Sequence, residues 1–286
     1  MQTLKKYVPH SIRLGLQGFY YSQLRRFFYF PVDALEMLFG KRDELIPPRG
    51  RIFIGKGDFG KIGRMYVKYF IEHCDLKPDE RVLDVGCGIG RIAIPLTDYL
   101  SERGAQYRGF DIVDHGIDWC KKNISSRFPN FLFQRADIYN KAYNPRGKYR
   151  ASEYKFPYGD EAFDFVFLAS VFTHMLLKDT RNYLSEVSRV LRPGGRCLAT
   201  FFLVDTEQVK LIETGSTSIA FEHRIGRCLT INKDRPEDAV AYDEMLVREL
   251  YAQCNLKIVE PVRYGWWRGE NNTITIQDVI IAVKSD

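Results

Sequence analysis

Val82-Leu83-Asp84-Val85-Gly86-Cys87-Gly88-Ile89-Gly90-Arg91 decides the fold of this 286-residue chain. Val82, Leu83 and Val85 surround a single acid, Asp84, and glycines stop the run. A short apolar run of this kind predicts a parallel strand buried on both faces. Gly86, Gly88 and Gly90 follow in a G-x-G-x-G spacing. Glycine reaches positive φ at little cost and lets a ligand approach the backbone without meeting a Cβ. From Ile89 to Tyr99 the pattern predicts a helix, whose first amides would face an anionic or polar ligand. The spacing differs from the dinucleotide fingerprint G-x-G-x-x-G. The acid ahead of the turn would repel a pyrophosphate, whereas a positive amino group or sulfonium would be welcome there.

Outward from the turn, further landmarks recur in order. Tyr107-Arg108-Gly109-Phe110-Asp111-Ile112 reads as a second strand ending in an acid. Arg135-Ala136-Asp137-Ile138 reads as the loop after a third. Phe163 to Ser170 reads as a fourth strand, and Leu191-Arg192-Pro193-Gly194-Gly195-Arg196 as the turn before a fifth. Over roughly residues 80 to 203 this order resembles the class I S-adenosylmethionine (SAM)-dependent methyltransferases. The resemblance implies an α/β fold: a Rossmann-like, mostly parallel sheet with a closing antiparallel strand. It also implies SAM as cofactor and S-adenosylhomocysteine as product. Asp84, Gly86, Cys87, Gly88 and Gly90 would cradle the amino-acid end. Asp111 would hold the ribose hydroxyls with Ile112 beside it, Asp137 and Ile138 would lie by the adenine, and Ala169 would lie at the tip of the fourth strand.

The residues carry part of this without the family. Asp111 ends a strand about twenty residues past Gly90, the spacing at which an acid binds ribose hydroxyls. The other reading of Asp111 is a helix N-cap, a role that Asp114 can take instead. For Asp137 the alternative is a turn acid.

A base for a hydroxyl acceptor is sought after the fourth strand, where parallel sheets place their ligands. Ser170-Val171-Phe172-Thr173-His174-Met175 offers His174, and imidazole suits proton abstraction near neutral pH. A packing or loop-ordering role for His174 stays open. His223, in Phe221-Glu222-His223-Arg224, is the second candidate. The stretch Leu168-Ala169-Ser170-Val171 lacks the [DN]-P-P-[YFW] pattern that the resembled superfamily uses on DNA bases. Nucleic acid is disfavoured as acceptor, and no RNA-binding signature is visible. The expected activity is O-methylation of a small-molecule, glycan or lipid-linked hydroxyl. N-methylation, protein methylation and a non-catalytic SAM-binding module remain as alternatives. An aminopropyltransferase would need extra acids after the fourth strand.

Charge is uneven. Residues 1–70 hold 13 Lys and Arg against 5 Asp and Glu, a net of +8, while the rest hold 29 against 31. Residues 1–50 read as a basic, aromatic helical extension and residues 51–286 as the catalytic domain. Ile12, Leu16, Phe19, Tyr20, Leu24, Phe27 and Phe28 fall near helical spacing. Pro31 is expected to stop that helix, with a second short one from Asp33 to Phe39 ended by Gly40. The extension is a lid, a peripheral membrane contact through residues 11–30, or an arginine-rich capture surface for phosphate or carboxylate. Phe59 is a candidate cover for the cofactor.

Further on, Tyr139 to Tyr158 reads as a long polar loop, and Val204 to Ala239 as an insertion after the fifth strand. Ala241 to Cys254 reads as the last helix, with Trp266 and Trp267 as candidate pocket walls. The six cysteines form no C-x-x-C pair and the five histidines no metal-ligand pattern, so no metal is expected. No apolar run approaches the ~18 residues of a bilayer span, and no signal-peptide core is visible. A cytoplasmic protein, peripheral at the inner membrane surface, is the expectation.

Overall fold

The computed structural model describes residues 25–39, 43–55, 57–101, 103–269 and 275–285. Strands are numbered in chain order. The main sheet holds β1 (Arg81–Val85), β2 (Gln106–Asp111), β3 (Phe131–Arg135), β4 (Phe163–Leu168), β5 (Leu191–Phe201), β10 (Leu256–Ile258) and β11 (Asp278–Lys284). Their spatial order is β10-β11-β5-β4-β1-β2-β3. The first five pair in parallel, and β11 runs antiparallel to both β5 and β10. This is the Rossmann-like sheet with its closing antiparallel strand.

Both faces of β1 are covered, as its apolar run requires. Val82 faces α2 (Phe59–Cys74), α3 (Ala93–Tyr99) and α4 (Asp114–Cys120), in one cluster with Phe70, Leu96 and Ile117. Leu83 and Val85 face α5 (Leu177–Val190) and α7 (Glu244–Gln253), in a second cluster with Leu184, Val187 and Leu250. The strand order reverses between β1 and β4, so a crevice opens at the carboxyl ends of those strands. At the opposite end Asp164 of β4 takes Nε of Arg81 at 2.9 Å and Nε of Arg192 at 2.6 Å. Burial opposes the charge, but these bonds hold the Asp164 carboxyl down at about 2.

The stretch between β5 and α7 builds a second, four-stranded sheet. It contains β6 (Leu203–Val204), β7 (His223–Ile225), β8 (Cys228–Thr230) and β9 (Val240–Asp243), in the order β6-β9-β8-β7. With α6 (Thr206–Glu213) it buries Phe202, Phe221, Ala241 and Trp267 in a cluster of its own.

Three expectations need correction. α1 (Arg25–Leu38) runs straight through Pro31. Proline removes one hydrogen bond from the ladder, and on so exposed a helix water can satisfy the freed carbonyl; Gly40 lies outside the described residues. The helix expected from Ile89 starts only at Ala93, because Gly90 at φ +83° holds the chain out of helical geometry. Residues 241–243 are strand, and the helix begins at Glu244, where the Asp243 side chain caps the Leu246 amide. The expected extension of residues 1–50 is described only from residue 25. Its bonds cross residue 50, since Asp33 accepts from the amides of both Arg49 and Gly50.

Candidate functional site

The glycine turn lies at the carboxyl end of β1, where a polypeptide with side chains would not fit. Gly86, Gly88 and Gly90 have φ of +82°, +58° and +83°. A Cβ at Gly86 would stand 2.6 Å from Val171 Cγ2, and one at Gly90 would stand 2.7 Å from Ile124 Cδ1. The turn is locked to β2. Gly86 and Cys87 both donate their amides to the Phe110 carbonyl, at 2.9 and 3.1 Å. Gly88 donates to Asp111 Oδ2 at 2.8 Å, and Val113 to Asp111 Oδ1 at 2.9 Å. Burial raises the Asp111 carboxyl above its ordinary range, and the amide bonds pull against that rise. A carboxylate has about four lone-pair sites, so each oxygen keeps capacity for a further donor such as a hydroxyl. Asp111 thus ties the turn in place, and Asp114 does not cap α4. Asp114 pairs with Arg135 instead, at 2.5 Å.

Asp84 lies beneath the turn rather than in front of it. It is 2% exposed, and it accepts a 2.6 Å hydrogen bond from the Tyr107 hydroxyl. Burial pushes its carboxyl up to about 8, so it is mostly neutral at pH 7. A cation above the turn would meet it through its field and would draw it toward ionisation. Cys87 is buried, and burial pushes its thiol up. It packs against Gly109, where a Cβ would come within 3.0 Å of Cys87 Cβ.

Beyond β2 and β3, Ile112 packs on the second cluster and Ile138 is buried in it. Asp137 keeps a half-exposed side chain, while its carbonyl takes the amides of Lys148 and Tyr149 and folds the Tyr139–Tyr158 loop back. That loop is anchored by buried Phe156 and by Asn144, whose amide donates to Ile138 O at 2.9 Å.

Two segments wall the turn. The first is the strap of residues 52–55 ahead of α2. Ile54 Cγ2 stands 3.0 Å from where a Gly88 Cβ would be, and Phe53 packs edge-on against His115. Arg91 holds the strap by donating from Nη2 to Ile54 O at 2.6 Å. Phe59 is buried at the start of α2, with the Arg91 guanidinium 5.6 Å from its ring centre. It therefore supports the strap through Arg91.

The second wall is the loop after β4. Ala169 packs on the core and Val171 lies over Gly86. Ser170 has φ +61°, a strained conformation for a residue with a side chain. A chain of polar contacts holds it there. Ser170 N donates to Thr200 Oγ1 at 2.7 Å, Ser170 Oγ donates to Gln277 Oε1 at 2.9 Å, and Gln277 Nε2 donates to Thr173 Oγ1 at 3.4 Å.

His174 ends the 3-10 turn Phe172–His174 and is half-buried. Its Nδ1 lies 3.0 Å from the Glu237 carbonyl oxygen, in the insertion. A carbonyl only accepts, so Nδ1 carries the proton and Nε2 of the neutral ring keeps its lone pair. The same turn is gripped by Tyr242 of β9, whose hydroxyl lies 2.9 Å from Phe172 O and 2.8 Å from Thr180 Oγ1. His223 lies on β7, the outer strand of the insertion sheet, two places away from β9. Trp267 is not a pocket wall. It is fully buried, and its Nε1 donates to Asp278 Oδ2 at 2.9 Å. Trp266 is 41% exposed.

Sequence reasoning missed Ser170, Thr200, Gln277, Glu237 and Tyr242. Only Gln277 left a signal, as a polar residue leading into the apolar run of β11.

Comparison with known proteins gives a consistent picture. The family model described as a methyltransferase domain matches residues 76–253. A phthiotriol/phenolphthiotriol dimycocerosates methyltransferase of Mycobacterium tuberculosis is 37% identical over 116 residues, covering 41% of this chain and 35% of that one. An O-methyltransferase of Aspergillus nomiae is 29% identical, over 43% of this chain and 48% of its own. The chain thus spans about a third to a half of the length of these curated relatives. Among solved structures, the 1,6-didemethyltoxoflavin-N1-methyltransferase of Burkholderia thailandensis, with S-adenosylhomocysteine bound, superposes with a TM-score of 0.51 at 18% identity. That match covers 79% of this chain and 80% of the other, and it shares the fold.

Proposed function

The chain belongs to the SAM-dependent methyltransferase domain family of Rossmann-like fold, and from that premise we propose that it O-methylates the hydroxyl of a small-molecule, glycan or lipid-linked acceptor. The residues present fit the cofactor. The turn is bare of side chains at three positive-φ glycines, and the half-buried Asp111 carboxylate has acceptor capacity left beside it. When bound, SAM supplies a methyl group carried on a sulfonium sulfur.

In this reading the turn Gly86-Cys87-Gly88-Ile89-Gly90 lets the amino-acid end of the cofactor approach the backbone, and Asp111 accepts from the ribose hydroxyls. Ile112 gives an apolar wall for the adenine, backed by Ile138 in the core, and Asp137 an acceptor for its amino group. Asp84, mostly neutral in the free protein, is drawn toward ionisation beneath a sulfonium and then supplies negative potential from below, and Ala169 and Val171 close the side facing β4. His174 Nε2 takes the proton of the acceptor hydroxyl, a role worth about 10²–10⁴-fold in rate. Alignment of donor and acceptor can supply more, about 7–11 kcal/mol of the barrier. The observation that carries the hydroxyl reading is the His174 Nδ1 contact with the Glu237 carbonyl, which fixes the tautomer a general base needs. The same contact joins the base to the insertion, so the insertion is the proposed acceptor pocket.

An O-methyltransferase among the relatives supports oxygen as the target atom. The basic N-terminal segment, residues 11–30, supports peripheral contact with a membrane and hence a lipid-linked acceptor. Among the described residues, no helix is long and apolar enough to cross a membrane.

The test is incubation of the protein with labelled SAM and fractionated metabolite and lipid extracts. A labelled product one methylene heavier, O-linked and formed together with S-adenosylhomocysteine, is expected. Binding of SAM without any labelled product would favour a non-catalytic binding module, and an N-linked product would move the acceptor to an amine.

A further inference from the structure

α1 is built inside out. Its two acids turn toward the body of the protein. Asp33 accepts from the backbone amides of Arg49 at 2.8 Å and Gly50 at 3.2 Å, and Glu36 pairs with the Arg49 guanidinium. The outward face is apolar. Phe27 is 77% exposed, Phe30 71%, Met37 66% and Leu38 77%, with Phe28 and Leu35 more than half exposed beside them. A surface helix of a soluble domain has the opposite arrangement, apolar inward and polar outward. Scattered exposed apolar residues need no explanation, but six on one helix of fourteen residues form a contiguous patch, and such patches mark interaction sites.

Charge says what the patch meets. The first acid in the chain is Asp33. The 32 residues before it carry Lys5, Lys6, Arg13, Arg25 and Arg26 and no Asp or Glu. With Asp33 and Glu36 turned inward, the sequence leading into the patch is purely basic and the patch itself shows no acid. A second copy of this chain would bring an equally basic segment against the first, which like-charge repulsion disfavours. An anionic bilayer surface attracts juxtamembrane Lys and Arg and accepts Phe, Leu and Met at the boundary of headgroup and acyl chain.

We infer that α1 docks the protein on an anionic phospholipid surface, with Phe27, Phe28, Phe30, Leu35, Met37 and Leu38 inserted and the flanking bases at the headgroups. The inference deepens the membrane-contact reading and names its contact element, and it does not depend on methyl transfer. It has a geometric consequence. α1 is tied to Arg49 and Gly50, and the chain runs from there into the strap of residues 52–55 over the glycine turn. A docked α1 therefore holds the strap side of the crevice toward the lipid.

The experiment is co-sedimentation of the full chain with vesicles of phosphatidylcholine alone and of phosphatidylcholine mixed with phosphatidylglycerol, at low and high salt. Binding is expected on the anionic vesicles only, weakening with salt. The double substitution Phe27→Ser and Phe30→Ser is expected to weaken it at least about tenfold. Because both side chains are exposed, thermal melting and SAM affinity should not change. Equal binding to both vesicle types, or full binding by the double variant, overturns the inference. Absence of vesicle binding also overturns it. In that case a dimer seen by sedimentation velocity that dissociates in the variant assigns the face to a second copy. Loss of SAM binding with vesicle binding intact would count against the cofactor site alone.

Discussion

Asp111→Asn is the sharpest probe of the cofactor site, because one atom changes and the side-chain shape does not. In the parent chain Oδ2 accepts from Gly88 N at 2.8 Å and Oδ1 from Val113 N at 2.9 Å. An asparagine offers one acceptor and one NH₂ group. Whichever way it lies, one backbone amide faces a donor, and that bond is lost. The ribose hydroxyls lose a charged acceptor at the same time. A hydrogen bond to a charged group contributes about 1.5–3 kcal/mol, so affinity should fall about 10- to 150-fold. Ribose is common to SAM and S-adenosylhomocysteine, and the loss should therefore be equal for the two by calorimetry. Melting should drop by a few degrees through the loosened glycine turn, with the buried charge it removes offsetting part of that. An affinity within about twofold of the parent in a folded variant would refute the assignment, since an unmade ribose contact is the only way to leave both ligands untouched.

Other variants separate the remaining roles. His174→Asn places an amide nitrogen where Nδ1 was, keeping the bond to the Glu237 carbonyl while removing Nε2; turnover measured as S-adenosylhomocysteine release should fall about 10²–10⁴-fold with SAM affinity unchanged. Asp84 is mostly protonated below about 8, so SAM affinity should rise as pH passes upward through that value, more for SAM than for S-adenosylhomocysteine, which lacks the sulfonium; Asp84→Asn should flatten the dependence. The same raised carboxyl binds a proton in the folded state that the unfolded chain gives up, so denaturant melts should show stability falling between about pH 4 and 8 in the parent and not in Asp84→Asn. Asp164 works in the other sense: its carboxyl is held down at about 2, so its contribution, about 1–2 kcal/mol after allowance for solvent, is present above about pH 4 and lost on acidification, and Asp164→Asn melts should converge on the parent near pH 2.

The sheet was legible because its signals are local. Val82 to Val85 is apolar enough to need cover on both faces, and three glycines in five residues leave few uses for a turn. Asp111 was legible from its distance along the chain. Its second task was not, because the bond to Gly88 spans 23 residues and no pattern marks it. From its place before the glycines, Asp84 reads as a residue facing the ligand. Strand alternation decides otherwise: Asp84 shares the face of Val82 and points at Tyr107. Pro31 was over-read, since a proline ends a helix only where the lost bond cannot be replaced. The inward turn of Asp33 and Glu36 depends on Arg49, thirteen residues or more away, and no periodicity could show it.

The loop after β4 is tied to the sheet, to β11 and to the insertion at once. Ser170 is held at positive φ from the sheet by Thr200 and from β11 by Gln277, while the His174 turn is held from the insertion by Glu237 and Tyr242. Val171, between those two anchors, rests on Gly86. An acceptor that moved the insertion would therefore move the base and the wall over the glycine turn together. A ligand shifts a conformation only by binding the two states unequally. Affinity for SAM should then differ with and without acceptor, by the same factor in each direction, because coupling between two binding sites is reciprocal. That factor should shrink in a Tyr242→Phe variant, which keeps the ring and the Glu237 contact with His174 but frees the turn from the Tyr242 hydroxyl. If the factor is unchanged there, the Tyr242 hydroxyl does not carry the coupling.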